Sequence, residues 1–340
     1  MPPFSAVFDP PATEPLLAAD SAEAVASEAR AGLTSTPKRL ASWLFYDKAG
    51  SHLFEQITTL PEYYLTRAER SIFTAHADEI VQAAAGRPRQ TLTLIELGAG
   101  TATKTGILLS AAVQLQGTVV YQPVDVSVTA LERARRNILS NLPGVAVRCQ
   151  VADYTREPLP ENRLPNTRTL ALYIGSSIGN FTPAEARGVL RNLRAQLLPD
   201  DQLLLGTDLV KDVPTLLAAY NDAAGVTAEF NRNVLERLNR ELGADFNSEA
   251  FLHKAIWNAE ESRIEMHLES TCAQRVHLPA SGAGRALTLR FAPGETIHTE
   301  NSYKFTRSSV ESLLGDAGFR ASRTWNDSGN LFSVTLATAV

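Results

Sequence analysis

Glycines and an acid stand together in the stretch IELGAGTATKT, residues 95–105. A glycine loop between a predicted strand and a predicted helix lets the backbone turn tightly and approach a ligand closely. Gly98 and Gly100 provide that freedom, and Glu96 precedes them. The run GAGTAT lacks the third glycine of the dinucleotide-binding pattern, so it favours a cofactor without a pyrophosphate over NAD. Taken alone, a two-glycine loop also fits an ordinary tight connection.

Acidic residues follow the next two predicted strands. Asp125 ends the strand TVVYQPVD, and Asp153, with Tyr154, ends the strand-like VAVRCQVADY. Open α/β sheets bind ligands at the carboxyl ends of their strands, and an acid there can bind the hydroxyls of a ribose. Each acid by itself also fits a helix cap, but the set of three with Glu96 predicts a nucleoside-binding edge.

A polar pattern also occurs late in the chain, in HTENSYKF. Glu300, Ser302 and Lys304 stand at alternate positions, which places their side chains on one face of a strand. Such a face fits a solvated sheet surface or the polar wall of a small-ligand pocket.

An amide follows the fourth predicted strand, in LYIGSSIGNF. The oxygen of Asn180 can accept from an amine, and its NH₂ group can donate to a carboxylate. Asn180 equally fits a cap of the helix that follows it.

Strands and helices alternate between residues 91 and 208, and the strands are continuously apolar. This pattern predicts an α/β fold, a doubly wound parallel sheet covered on both faces. After residue 209 a long helical segment leads to several strands over 250–305. A helix, a turn at TWND and a final strand then complete the chain.

Helix start signals divide the helical stretches, including a predicted helical region over 36–85. A capping residue followed by Pro, or a capping residue with Glu three positions later, marks the first turn of a helix. The three signals are Thr36 with Pro37, Thr66 with Glu69, and Thr182 with Glu185. Ser127 is predicted to cap a fourth helix.

Composition limits the class of partner. The 340 residues include 44% hydrophobic and 20% charged residues and carry a net charge of −5, which is typical of a globular protein and not of a nucleic-acid-binding one. No apolar run reaches the roughly 18–20 residues of a membrane span. We therefore expect neither nucleic-acid nor membrane binding.

Cysteine and histidine usage suggests the compartment and the metal content. Cys149 and Cys272 stand far apart, the six histidines show no paired ligand spacing, and the N-terminus has no signal-peptide pattern. We expect no disulfide framework, no metal site and a reducing cytoplasm.

Taken in order, five stretches make a more specific resemblance. FYDKAGSHLFEQITTLPEYYLTRAE, IELGAGTATKT, LYIGSSIGNF, DLVKDVPTLLAAYNDAAGVTAEFNRN and HTENSYKF are similar to the histidine-specific Nα-methyltransferases of ergothioneine biosynthesis. These are class I methyltransferases that depend on S-adenosylmethionine (SAM). The resemblance covers nearly the whole chain, from about Ser35 to the last strand.

The length of the chain and the end of the alternation at residue 209 predict two domains, and we expect a monomer. A substrate-binding α+β domain would comprise residues 14–67 and 209–303, and a Rossmann-like methyltransferase domain 68–208 and 304–340. Residues 1–13 are expected to form an irregular tail.

The resemblance also implies the site residues and a small amino-acid substrate. The SAM pocket, which leaves S-adenosylhomocysteine as product, would comprise Glu96, Gly98, Gly100, Lys104, Asp125, Asp153 and Tyr154. Lys104 also fits a solvated first-turn lysine. Tyr63, Asn180 and Tyr220 would hold the α-amino and carboxylate groups at the catalytic centre. The rest of the substrate pocket would comprise Tyr46, Phe54, Gly175, Ser177, Met266, Glu300 and Ser302.

Packing alone explains several of these residues equally well. Tyr63 and Phe54 fit the packing of N-terminal helices on the sheet, Tyr220 fits a helix core, and Met266 fills a strand face. Two positions also depart from the family pattern, Leu65 after PEYY and the variant strand ENSYKF.

The resemblance implies that Glu300 and Ser302 bind the two imidazole nitrogens of histidine and that the product is hercynine. Other readings remain open: the same chemistry on tryptophan, tyrosine or an indole derivative, an NAD-dependent enzyme, or a non-enzymatic sensor. The role of Lys304 is open, either beyond the pocket or paired with an acid.

Overall fold

A computed structural model describes residues 22–100, 102–155, 157, 163–280 and 284–340. The irregular tail predicted for residues 1–13 lies outside the described residues.

Strands of two sheets and a hairpin make up much of the described chain. In chain order they are β1 (Lys38–Arg39), β2 (Thr91–Leu97), β3 (Val119–Asp125), β4 (Val145–Val147), β5 (Gln150–Val151), β6 (Thr167–Tyr173), β7 (Gln202–Asp208), β8 (Phe251–Asn258), β9 (Arg263–Ser270), β10 (Gln274–Leu278), β11 (Leu287–Phe291), β12 (Thr296–Tyr303), β13 (Phe319–Asn326) and β14 (Phe332–Ala339).

Helices connect these strands. They are α1 (Ala22–Leu33), α2 (Lys48–Ile57), α3 (Leu65–Ala85), α4 (Thr105–Gln116), α5 (Val128–Asn141), α6 (Pro183–Arg194), α7 (Val213–Tyr220), α8 (Val226–Leu242) and α9 (Arg307–Asp316). Short 3₁₀ turns occupy Ser42–Phe45, Ser177–Asn180 and Ser248–Ala250. In the part of the chain that is described, no helix combines the length and apolar character that a membrane crossing requires.

The larger sheet has the strand order β13-β14-β7-β6-β2-β3-β4. The short strand β5 also pairs with β3, at the last two residues of β3. The strands from β4 to β7 are parallel, and β14 runs antiparallel to both of its neighbours. On β7, Leu204 packs into the core on one face, whereas Leu203 and Leu205 pack with residues of α6 and α9 on the other. Burial on both faces explains why β7 is apolar almost throughout, and the predicted doubly wound sheet is confirmed.

The smaller sheet has the order β1-β12-β9-β8 and carries the late polar strand, β12. The strand β1, which precedes the larger sheet in the chain, pairs in parallel with β12. One face of this sheet packs into the core through three residues of β9, Ile264, Met266 and Leu268. The N-terminal segment and the inserted strands thus share a sheet, while the predicted domain boundaries remain a prediction.

Two of the predicted helix starts are wrong. Thr36 and Pro37 lead into the strand β1, and the next α-helix begins only at Lys48, after Asp47, whose side chain accepts from the backbone NH of Gly50 at 2.7 Å. The helical region predicted over 36–85 is therefore interrupted, because the backbone at 38–39 pairs with β12.

The Thr66–Glu69 capping box is also absent. α3 begins at Leu65, and the buried carboxylate of Glu69 accepts from the backbone NH of Gly175 at 2.8 Å. A tertiary partner thus replaces the local one. The Thr182–Glu185 capping box and the Ser127 cap are confirmed. The turn predicted at TWND is wrong in its first residues, because Phe319–Asn326 forms the edge strand β13.

Candidate active site

The loop from β2 to α4 follows the predicted glycine pattern. Gly98 has φ +68° and Gly100 has φ +51°, both in the left-handed region that favours glycine. A Cβ built on Gly98 would lie 3.1 Å from the hydroxyl of Tyr154. The loop therefore keeps its backbone close to the carboxyl ends of the neighbouring strands.

Glu96 lies beneath this loop and is buried. Thr105 Oγ1, at the start of α4, donates to its two carboxylate oxygens at 2.7 and 2.8 Å, and Tyr121 also donates to it. Burial raises the pKa of Glu96 to about 7, while the hydrogen bonds from Tyr121 and Thr105 lower it. These contacts tie the helix start to the sheet, and a direct contact of Glu96 with the cofactor remains a prediction.

The other two predicted acids lie at the same edge of the sheet. Asp125 Oδ1 accepts from the backbone NH of Ser127 at 2.9 Å, and its Oδ2 accepts from that of Gly100 at 3.4 Å. Asp153 Oδ1 accepts from the backbone NH of Thr155 at 3.0 Å. The two carboxylates and the glycine loop thus come together as predicted, and their contacts with a nucleoside remain predictions.

Lys104 connects the glycine loop to the segment that follows β6, through the side chain of Glu69. It forms an ion pair with Glu69 of α3, whose side chain is fully buried, and Glu69 in turn accepts from Gly175. The alternative that Lys104 is simply solvated is wrong. Glu69 was not predicted as a site residue, although it stands on the apolar stripe of α3 beside Ala68 and Ile72, which could have indicated a buried charge.

A cavity between the larger sheet and β12 brings together all ten residues predicted for the substrate pocket. These are Tyr46, Phe54, Tyr63, Gly175, Ser177, Asn180, Tyr220, Met266, Glu300 and Ser302. Six further lining residues were not predicted: Ile57, Leu65, Ser176, Ala219, Thr227 and Phe230. We call this cavity the substrate pocket. Among the missed residues, Thr227 has a buried hydroxyl without a hydrogen-bond partner in the structure.

Aromatic rings form one side of the substrate pocket. The ring of Phe54 lies 5.6 Å from that of Tyr46, 5.9 Å from Phe230 and 6.2 Å from Tyr63, and Tyr63 lies 6.3 Å from Tyr220. Burial raises the pKa of both Tyr63 and Tyr220 well above the ordinary value for tyrosine. Both hydroxyls therefore stay protonated near neutral pH and can donate hydrogen bonds.

Polar groups of β12 also line the pocket. Glu300 pairs with Met266 across the sheet, and Ser302 Oγ lies 2.6 Å from the hydroxyl of Tyr220. Burial raises the pKa of Glu300 to about 7, and the charge of Lys304 opposes that rise. The carboxyl can therefore gain or lose its proton near neutral pH.

Lys304, which the sequence left unexplained, pairs with an acid. Its side chain and that of Asp208 are both fully buried, and Lys304 Nζ lies 2.8 Å from Asp208 Oδ2. Asp208 ends β7, as Asp125 ends β3. The same pattern, an acid after an apolar parallel strand, could have identified it.

The 3₁₀ turn that carries Ser177 and Asn180 lies directly against β12. A Cβ built on Gly179 would lie 2.9 Å from the carbonyl oxygen of Tyr303. Only glycine leaves the turn this close to the strand, so the position of Asn180 relative to β12 depends on Gly179.

Gly179→Ala is therefore expected to weaken the binding of histidine, the substrate that the resemblance implies, and to destabilise the fold by about 1–3 kcal/mol, since the added methyl overpacks the contact. Calorimetry with SAM and with histidine should show SAM binding largely retained. Gly188→Ala is the matched control, because a Cβ there meets nothing within 4 Å and alanine favours the helix α6. Equal histidine affinities in the two variants would contradict the assignment of this contact.

A possible metal-ligand group lies elsewhere on the smaller sheet. Donor atoms of Glu265, His267 and His298 lie within 4.8 Å of one another. The sequence spacing did not reveal it, because the histidines come from different strands. Glu265 already accepts from Arg263 at 2.7 Å, from Asn258 at 2.9 Å and from His267 at 2.9 Å. The expectation of a metal-free enzyme remains a prediction.

The doubly wound sheet and the acids beside its glycine loop define the class I SAM-dependent methyltransferases. A profile of the histidine-specific, SAM-dependent methyltransferases matches residues 25–339. The chain belongs to this family.

Relatives at high identity cover almost the whole chain. It is 46% identical over 323 residues to a histidine N-alpha-methyltransferase of Mycolicibacterium smegmatis, covering 94% of this chain and 97% of that protein. It is 43% identical to the Mycobacterium tuberculosis protein of the same name, covering 90% and 92%. Ergothioneine biosynthesis protein 1 of Neurospora crassa is 31% identical, over 85% of this chain and 32% of that protein.

A solved structure of a SAM-dependent methyltransferase from Clostridium acetobutylicum superposes with a TM-score of 0.44 at 11% identity. The match covers 78% of this chain and 91% of that one.

Proposed function

We propose that this protein transfers methyl groups from SAM to the α-amino nitrogen of L-histidine and yields the Nα-trimethyl betaine, hercynine. This is the first step of ergothioneine biosynthesis. The proposal is supported by family membership and by the names of the relatives. The observation that carries it is the substrate pocket, which Glu300 and Ser302 of one strand line together with a set of aromatic rings.

The pocket residues divide by the part of histidine that each can bind. Asn180, Tyr63 and Tyr220 offer amide and hydroxyl groups that suit the α-amino and carboxylate groups. Glu300 and Ser302 suit the two ring nitrogens. Met266 packs beside the ring, while Tyr46 and Phe54 cover the aromatic side.

Residues at the carboxyl ends of the parallel strands, beside the glycine loop, suit the binding of the cofactor. Asp125 suits the ribose hydroxyls, Asp153 suits the adenine amino group, and Gly98 leaves the space that a Cβ would fill beside Tyr154. Gly100 shapes the loop, and Lys104 acts through its ion pair with Glu69. SAM supplies an electrophilic methyl group when it is bound.

The contribution of the chain to the chemistry is alignment and exclusion of water. The amine must present a neutral lone pair, and Asn180 and Tyr220 orient it without forming a covalent intermediate. Tyr63 is protonated near neutral pH because burial raises its pKa, so it acts as a hydrogen-bonding group and not as a phenolate base. Each added methyl removes an N–H donor, so the pocket must accept growing bulk near the amine.

The same proposal includes a metal-free reaction, a monomer and a cytoplasmic location. The location rests on Cys149 and Cys272, which are free in the structure.

The test is mass spectrometry after incubation of the protein with SAM and an equimolar mixture of amino acids. We expect histidine alone to gain three methyl groups. Methylation of tryptophan or tyrosine instead would leave the fold and cofactor assignment intact but overturn the assignment of Glu300 and Ser302. SAM binding without methylation of any amino acid would overturn the proposed function.

A further inference from the structure

Lys304 uses all of its hydrogen-bond donors inside the protein. Its ammonium donates to Ser302 Oγ at 2.8 Å and to the hydroxyl of Tyr220 at 2.9 Å, and it lies 2.8 Å from Asp208 Oδ2. A lysine ammonium has three N–H donors and no acceptor. Lys304 is thus saturated and cannot donate to a ligand while these three contacts last.

These contacts restrict the two hydroxyls. The oxygens of Tyr220 and Ser302 both accept from Lys304, and they lie 2.6 Å apart, so one hydroxyl must donate to the other. A phenol is a stronger acid, and hence a better donor, than an aliphatic hydroxyl. Tyr220 is therefore the donor of this bond and Ser302 its acceptor.

With Tyr220 as the donor of this bond, only the O–H group of Ser302 remains free to bind a ligand. A serine oxygen has two acceptor lone pairs and one O–H donor. Lys304 and Tyr220 fill both lone pairs, so Ser302 can only donate to a ligand. The ligand atom opposite it must then be an acceptor.

Asp208 holds the ammonium in place. It accepts from the hydroxyl of Tyr64 at 2.9 Å and from Lys211 Nζ at 2.5 Å, in addition to its pair with Lys304. The buried group thus contains two ammonium ions and one carboxylate. Glu300, when ionised, supplies the second negative charge on the pocket side, and an additional cation beside Ser302 is disfavoured.

We propose that Lys304 is a positioning residue which makes Ser302 an obligate hydrogen-bond donor, so that the pocket selects a neutral imidazole with its lone-pair nitrogen toward Ser302 and its N–H toward Glu300. This inference rests on the proposed function. It specifies the side chain more closely, because an indole offers no lone-pair nitrogen and an imidazolium offers two N–H groups.

The first test compares Lys304→Met with Lys211→Met, which removes an ammonium from the same Asp208 but touches neither Ser302 nor Tyr220 in the structure. Calorimetry with S-adenosylhomocysteine present measures the affinity for L-histidine and for 3-(2-thienyl)-L-alanine, whose five-membered ring has no nitrogen. Lys304→Met should reduce the preference for histidine by up to about tenfold, since Ser302 can then donate its O–H to Tyr220 and leave the ring nitrogen without a donor. Lys211→Met should keep the preference, whatever its effect on stability.

An unchanged preference in Lys304→Met would overturn the inference. A purely structural role of Lys304 would weaken both ligands alike and leave their ratio as in the wild type. If the wild type itself shows no preference for histidine, the proposed function fails before any variant is considered.

A second measurement needs no variant, so it can overturn the inference even if Lys304→Met does not fold. Ring-¹⁵N-labelled histidine is bound to the wild type with S-adenosylhomocysteine at pH 6, below the ordinary imidazole pKa of about 6.5. Nitrogen NMR should show one protonated and one unprotonated ring nitrogen. Two protonated ring nitrogens in the complex would overturn the inference.

Discussion

Glu300→Ala is expected to lower kcat/KM for L-histidine by about ten- to hundredfold, mainly through KM. The carboxylate lines the pocket beside Met266 and is the group that can accept the ring N–H. A hydrogen bond to a charged group contributes about 1.5–3 kcal/mol, which corresponds to that range. Steady-state kinetics with histidine and with tryptophan measure both the loss and any gain for the larger ring.

The matched control is Glu269→Ala. Glu269 also lies on the smaller sheet, but it is paired with Lys254 on the face opposite Met266. Its removal is expected to leave kcat/KM close to that of the wild type. Equal losses in the two variants would show that Glu300 acts through the sheet and not through the ring.

The raised pKa of Glu300 adds a pH dependence to the same prediction. Burial raises this pKa to about 7, so the acceptor form becomes more populated as the pH rises from 6 to 8. The affinity for histidine, measured with S-adenosylhomocysteine present, should increase over that window by more in the wild type than in Glu300→Gln. The difference between the two profiles isolates Glu300 from the titration of histidine itself.

Asp208→Ala is expected to cost about 3–5 kcal/mol of the free energy of unfolding. The variant leaves Lys304 and Lys211 buried without their carboxylate, and unpaired buried charges are among the most costly groups in a protein. The hydroxyl of Tyr64 also loses its acceptor. Chemical denaturation at neutral pH gives the value.

Asp212→Ala is the comparison, four residues further along the chain. Asp212 is an exposed helix cap that accepts from the backbone NH of Thr215 at 2.9 Å, and its loss should cost about 1 kcal/mol. If Asp208→Ala loses no more free energy of unfolding than Asp212→Ala, then Asp208 does not stabilise the buried ammonium groups of Lys304 and Lys211 as assigned.

Features that depend on near neighbours in the chain were predictable from the sequence. The Ser127 cap and the Thr182–Glu185 capping box join residues three positions apart, and the backbone reaches them without help from the rest of the fold. The apolar run of β7 follows from burial on both faces of a parallel sheet, and Asp125 is the polar residue at which the apolar run of β3 ends. The apolar runs therefore also predict where the parallel strands end, and with it the edge of the sheet at which the cofactor is expected to bind.

The pocket itself was predictable only through the family resemblance. Tyr46, Asn180 and Glu300 are far apart in the chain, and nothing in their spacing indicates that they meet. Asn180 and Glu300 come together because the 3₁₀ turn packs against β12 through Gly179, a contact between segments more than a hundred residues apart.

Tertiary structure alone decided which buried charges are paired. Glu69 looked like a helix cap, but the fold brings Lys104 and Gly175 to its carboxylate, and a partner for a buried charge outweighs a local cap. Lys304 had no explanation until β7 and the end of β12 placed it beside Asp208. The sequence by itself determined most of the strands and helices of the larger sheet, and its motifs indicated the chemical class. The packing of these elements determined which charged side chain meets which, because such pairs form across elements and not along one.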